Sequence, residues 1–197
     1  MRDQDTAANI LDIARDLLAA DGLEAVSFDA IARRLGHSKQ AVLYWYPNKR
    51  KLLIALFMPW LEAEAETVES AIAGTAGRRA AIEGAVRALV GFHTANLDRF
   101  RMMYLVPQTT GTKSAGRGLP PPGDEIYRLT DRLYSALATR LGDEPIMSRR
   151  QAVAIHSAAI GLVTMLALAD SLHDPLKHSQ SDLVDALVGT LTGAVED

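Results

Sequence analysis

The chain contains no cysteine, which excludes a disulfide scaffold, a thiolate nucleophile and any Cys-ligated zinc or iron–sulfur centre. It also lacks any sustained strand-like alternation of apolar and polar residues. Excess charge is absent: the 197 residues sum to −3, with 48% hydrophobic and 23% charged. That balance lies in the ordinary globular range and argues against disorder throughout, and the length can bury a sizeable core in one or two small domains. The opening Met1-Arg2-Asp3-Gln4-Asp5 carries acids with no apolar core behind it, unlike a secretory signal. The most apolar stretch, Ala152 to Ala169, falls short of the roughly 20 residues of a membrane span and contains His156, Ser157 and Thr164. A buried helix in a soluble, cytoplasmic protein is the expectation.

What is present is helical periodicity nearly everywhere. The first helix aligns Ile10, Ile13, Ala14, Leu17 and Leu18 on one face and stops at Asp21-Gly22. Ser27 reads as an N-cap with Asp29 in the first turn behind it, and Gly36 closes this second helix after about two turns. Ser38 caps a third short helix, Lys39 to about Trp45, ended by Pro47. Asn48 caps a fourth that runs toward Ser70. Two short helices around a tight Gly-containing turn make a helix-turn-helix. Further helices are expected from about Arg78 to Leu97, Asp98 to Val106, Glu125 to Leu141, Ser148 to Leu172 and Ser181 to Val195. The Gly- and Pro-rich stretch Gln108 to Asp124 reads as a loop.

The net charge conceals its distribution. Residues 1–29 carry two bases against seven acids, and the residues after 55 carry 13 bases against 17 acids. Residues 30–55 hold six bases and no acid. Lys49, Arg50 and Lys51 occupy the first turn of the fourth helix, where the helix dipole disfavours cations. Such a triplet makes physical sense when an external anion, above all a DNA phosphate, comes to that helix end.

These residues resemble the TetR family of bacterial transcriptional regulators over about the first 55 positions. The matching string is Ile10-Leu11, Ala14, Leu17, Gly22, Val26-Ser27, Ile31-Ala32, then Leu35-Gly36-His37-Ser38-Lys39-Gln40-Ala41-Val42-Leu43-Tyr44-Trp45-Tyr46-Pro47-Asn48-Lys49 and Leu52-Leu53. The resemblance implies an all-α fold, with a helix-turn-helix DNA-binding domain over residues 1–50 and a helical effector-binding and dimerisation domain over residues 51–197. It implies a homodimer on a palindromic DNA operator, most often a repressor released by a small molecule, with no cofactor. Ser38, Lys39 and Gln40 then start the recognition helix, while Ser27 and Lys49 hold phosphates. The family's usual tyrosine is replaced by Leu43; Tyr44 either takes over the phosphate contact or packs in the small domain's core. Trp45 and Tyr46 read as core wedges. His37 reads either as a DNA contact or as a turn residue.

For the effector, polar or deformable residues on apolar faces are the candidates: Trp60, Phe92, His93, Asn96, Phe100, Met103, Tyr104, Tyr127, Tyr134, His156 and Met165. Each has a plain alternative as core filling or a surface residue. Their composition favours a hydrophobic or aromatic effector. Pro59 removes the helical bond to the Ala55 carbonyl and is either a hinge or a static bend. The small residues Ala158, Ala159, Gly161, Ala167 and Ala169 suit either a subunit interface or an internal helix crossing, and the resemblance favours the interface. A regulator controlled by a protein partner is the nearest alternative. An enzyme is the remoter one: Gly111-Thr112-Lys113-Ser114 has no glycine directly before its lysine, and Pro107 stands where a phosphate loop begins. No nucleophile–base pair or metal-ligand spacing is evident, so neither catalytic nor metal residues are expected.

Overall fold

The computed structural model describes residues 2–105, 124–142, 144–173 and 176–193. Among these residues it contains nine α-helices, one π-helical turn and no strand. The expected loop at Gln108–Asp124 and the Gly111–Ser114 segment lie almost wholly outside the described residues.

The chain divides into two compact units, Met1–Trp60 and Leu61–Asp197. In the first, α1 (Arg2–Asp21), α2 (Phe28–Leu35) and α3 (Lys39–Trp45) precede the start of α4 (Lys49–Ile72). Ile10, Ala14, Leu17 and Leu18 of α1 bury their apolar face with Val26, Ile31, Val42, Leu52 and Leu56. Each short helix begins where its cap residue dictates. The Ala30 amide donates to Ser27 Oγ at 3.2 Å, the Ala41 amide to Ser38 Oγ at 3.3 Å, and the Lys51 amide to Asn48 Oδ1 at 2.9 Å.

The turn between α2 and α3 rests on Gly36, at φ 71°. Its amide and that of His37 return to the Arg33 and Ala32 carbonyls, the paired bonds that close a helix through a left-handed residue. A Cβ at Gly36 would meet nothing within 4 Å, so substitution costs backbone strain alone. Gly36→Ala should destabilise the fold by about 1–2 kcal/mol, lowering the melting temperature by a few degrees. An unchanged midpoint would show that the turn does not need the left-handed conformation.

The second unit comprises the remainder of α4 with α5 (Arg78–Thr94), α6 (Leu97–Phe100), a π-helical turn (Arg101–Leu105), α7 (Asp124–Leu141), α8 (Pro145–Leu172) and α9 (Gln180–Thr192). Its core is built from Ala65, Val68 and Ile72 of α4, Ile82, Val86 and Leu89 of α5, Leu133 and Leu137 of α7, Ile155, Ala159 and Val163 of α8, and Val184 and Val188 of α9. Gly84 lets α5 approach the α4 backbone, since a Cβ there would stand 3.1 Å from the Ala71 carbonyl oxygen. The Arg132 guanidinium pairs with the Glu69 carboxylate through two bonds, joining α7 to α4.

Several boundaries differ from the sequence expectation, and the helix expected from Asp98 to Val106 is instead α6 followed from Arg101 by the π-helical turn. α5 ends at Thr94 rather than near Leu97, because Asn96 turns its side chain to cap α6, accepting the Arg99 amide at 2.8 Å. The helix expected to begin at Ser148 begins at Pro145, whose fixed φ suits a first turn. The last helix starts at Gln180 behind Ser179, which exchanges capping bonds with Asp182. Pro59 stands inside α4, two residues ahead of the start of the second unit. α8 has the length and hydropathy of a membrane span, yet Ala152, Ile155, Ala159, Val163 and Ala167 form a buried face on it, the pattern of a bundle helix.

Candidate functional site

In the first unit the residues nominated for DNA sit at three successive helix starts: Ser27 before α2, His37 to Gln40 at the head of α3, and Lys49 at the head of α4. The capping roles of Ser27 and Ser38 use their oxygens as acceptors and leave both hydroxyl protons available. Lys39 Nζ lies 2.8 Å from Asp29 Oδ2 with both side chains at least half exposed. Such a surface pair is worth about 0–1 kcal/mol and is readily exchanged for a phosphate. Lys49 Nζ donates to the Leu23 carbonyl at 3.2 Å. His37 and Gln40 are exposed.

The three consecutive aromatics have separate environments. Tyr44 is 78% exposed, with its ring edge-on to Trp45 at 5.3 Å. Trp45 and Tyr46 are half-buried, and the Tyr46 hydroxyl reaches the Ala7 carbonyl of α1 at 3.4 Å. Burial pushes the Tyr46 phenol above its ordinary pKa. Tyr44 is thus the aromatic displayed to solvent, while its two neighbours pack within the unit.

The eleven residues nominated for the effector do not form one site. Trp60 is half-buried near Phe57, with ring centroids 5.8 Å apart. Tyr127 and Met165 are 52% and 53% exposed, Asn96 is the exposed α6 cap, and Met103 is half-buried on the π-helical turn. Phe92 carries the Arg99 guanidinium 4.0 Å above its ring. A surface cavity of about 430 Å³ beside the α7–α8 turn is lined by Ser135, Ala138, Thr139, Gly142, Pro145, Ser148 and Arg149, and by none of the eleven.

Of the eleven, His93, Tyr104 and His156 converge on Glu64, a residue the sequence reading passed over, with Tyr134 against His156 and Phe100 against His93 and Tyr104. Glu64 is 2% exposed and His93 fully buried. The Tyr104 hydroxyl lies 2.9 and 2.8 Å from the two Glu64 oxygens. His156 Nε2 donates to Oε1 at 3.0 Å, which leaves its Nδ1 to accept from the Tyr134 hydroxyl at 2.9 Å. His93 Nε2 stands 3.4 Å from Oε2 without hydrogen-bond alignment, and neither of its ring nitrogens has a hydrogen-bond partner.

The cluster joins α4, α5, the π-helical turn, α7 and α8 through one carboxylate. Burial works to raise the Glu64 pKa, but the imidazoles of His156 and His93 overcome it and hold the carboxyl at about 2. Burial and the neighbouring Glu64 charge push the Tyr104 phenol far upward, so it stays a donor. Among the described residues no group of three ligating side chains is arranged to hold a metal ion. A signal for Glu64 was available: four residues before Val68 and eight before Ile72, it occupies the buried stripe of α4.

An exposed second helix on a helix-turn-helix, continued along the chain by an all-helical unit, is the fold of DNA-binding transcriptional regulators. Residues 10–56 match the model of bacterial regulatory proteins, tetR family. No curated protein matches the chain. Among solved structures it is similar to the transcriptional regulator FadR from Bacillus subtilis in complex with stearoyl-CoA, with a TM-score of 0.67 at 15% identity over 96% of this chain and 99% of that one. A TetR-family regulator from Streptomyces coelicolor gives 0.62 at 23% identity over 96% and 99%. A TetR/AcrR-family regulator from Thermobifida fusca gives 0.61 at 18% identity over 98% and 100%. The common fold therefore extends over the whole chain.

Proposed function

We propose that the protein is a cytoplasmic TetR-type repressor, rather than an enzyme, that binds a palindromic operator as a homodimer and is released by a small effector with a largely apolar body. The observation that carries the DNA reading is the acid-free basic stretch of residues 30–55, folded as the helix-turn-helix and the first turn of α4. Gln40 and Lys39 face the base edges, where an amide can pair bidentately with adenine. Ser27, Ser38, Tyr44 and Lys49 hold phosphates, with His37 beside them. The effector enters the second unit, whose candidate contacts centre on His93, Tyr104 and His156.

The second copy is supported by α8. One side of that helix is buried, while Ile146, Met147, Val153, Met165, Leu168 and Leu172 stay 39–67% exposed on a single opposite stripe. Apolar stripes of this length are rarely left to water. Of the small residues expected at an interface, Ala159, Ala167 and Ala169 are buried within the unit, whereas Gly161 lies on the exposed stripe.

Operator binding measured against salt on DNA upstream of the chain's own reading frame tests the proposal. Lys49→Ala should weaken binding to all sequences alike and flatten the log–log salt slope by about one. Gln40→Ala should instead relax discrimination at one base pair per half-site by about 1–3 kcal/mol. Sequence-independent binding by the unmodified protein would overturn the regulator reading.

A further inference from the structure

The Glu64 cluster is more than a buried ion pair, because its polar capacity is incompletely used. A carboxylate offers about four acceptor sites. Here one phenol proton is shared between the two oxygens and one imidazole N–H is aligned on Oε1. His93 contributes proximity without a hydrogen bond, and both of its nitrogens are buried and unpaired. Unsatisfied buried polar groups are rare in native proteins and call for a missing partner.

The nearby arginine does not supply it. Arg99 acts on Glu64 only through space, its guanidinium being bonded to the Phe92 carbonyl and lying over the Phe92 ring. Around His93 the walls are aromatic. The His93 ring stands 5.1 Å from Phe92, 5.2 Å from Phe100 and 5.3 Å from Tyr104. Phe100 and Tyr104 stack at 5.2 Å. A buried carboxylate with acceptor capacity left over suits one chemistry above others, a positively charged nitrogen that donates to it. An anionic head would meet a like charge, and an alkyl chain would leave that remaining capacity unused.

We propose that Glu64 is the anchor for a cationic, ammonium-bearing head group of the effector, with His93, Phe100 and Tyr104 forming its wall. Tyr104 is the side that yields: it sits on the π-helical turn Arg101–Leu105, an irregular helical form that often marks functional sites. The inference rests on the reading of the second unit as an effector domain and sharpens it, adding a charged head to the apolar body.

The test is calorimetric titration of the full chain, without DNA, with phenylbutylamine, phenylbutanol and phenylbutyrate, which share one body and differ in the head. Stearoyl-CoA serves as a fourth ligand. The amine should bind at least about tenfold more tightly than the alcohol, a gap of about 1.4 kcal/mol, and the carboxylate and stearoyl-CoA should bind more weakly still. Glu64→Gln should bring the amine down to the level of the alcohol. The proposal is overturned by equal or tighter binding of the alcohol, the carboxylate or stearoyl-CoA. It is equally overturned by a silent amine, or by an unchanged ranking in Glu64→Gln. If Glu64→Gln fails to fold, the ranking on the unmodified protein decides alone. Amine binding that leaves an operator complex intact would support the site and count against effector-driven release. Failure of operator binding with the head-group ranking preserved would sink the regulator reading and keep the site.

Discussion

Glu64→Gln should lower the stability of the protein at neutral pH by on the order of 3 kcal/mol and its melting temperature by about 6–12 °C. The figure follows from the carboxyl being held at about 2 against an ordinary value of 4.5, each unit being worth about 1.36 kcal/mol. The sign is set by the direction of the shift. A carboxyl whose pKa is depressed by folding contributes its stability in full above the unfolded value, near 4.5, and loses it as the pH falls toward 2. The gap between unmodified protein and variant should therefore be present at neutral pH and close on acidification below about pH 4. Thermal melts at a series of pH values measure it directly. Tyr134→Phe removes only the outer bond to His156 and should cost about 1 kcal/mol. A Glu64→Gln gap that persists undiminished to pH 3 would mean that lost packing, and not lost charge, is responsible.

The same residue shows what the sequence conceals. Ser27, Gly36, Ser38 and Asn48 announce their helix ends because capping is a local matter of one side chain and a few amides. The helix-turn-helix was legible for that reason, and the acid-free block that overlies it required only counting. Glu64 was concealed because Glu62, Glu64 and Glu66 look alike in sequence, while Glu64 is buried and the other two are exposed. Its partners come from three other elements, 29 to 92 residues further along the chain, and long-range convergence leaves no local signature. Asn96 misled in the opposite way, since a polar residue beside an apolar helix face was serving as a cap. The alanines of α8 misled through ambiguity, because a close crossing inside one chain and a close crossing between two copies demand the same small side chains.

That ambiguity bears on the second large effect. In the proposed homodimer, Met165→Glu combined with Leu168→Glu should give a monomer and reduce affinity for a full palindromic operator by at least about 100-fold. Both residues lie half-exposed on the stripe of α8 that faces away from the core of its own unit, so two carboxylates there leave the monomer's packing intact. In an interface formed by two copies of one helix, the four new charges meet across the two-fold axis and are desolvated together, which costs several kcal/mol. A monomer engages one half-site and forgoes the gain from linking two, typically 10²–10⁴ in apparent affinity. Loss of the second copy also removes the fixed spacing of about 34 Å between recognition helices, the feature that selects a palindrome over an isolated half-site. Sedimentation should report a halved mass with unchanged helical circular dichroism. Fluorescence anisotropy should show single half-site affinity close to that of the unmodified protein. Retention of the dimer by the double variant would place the interface elsewhere, and weakened half-site binding would instead implicate these residues in the fold of the chain that carries them.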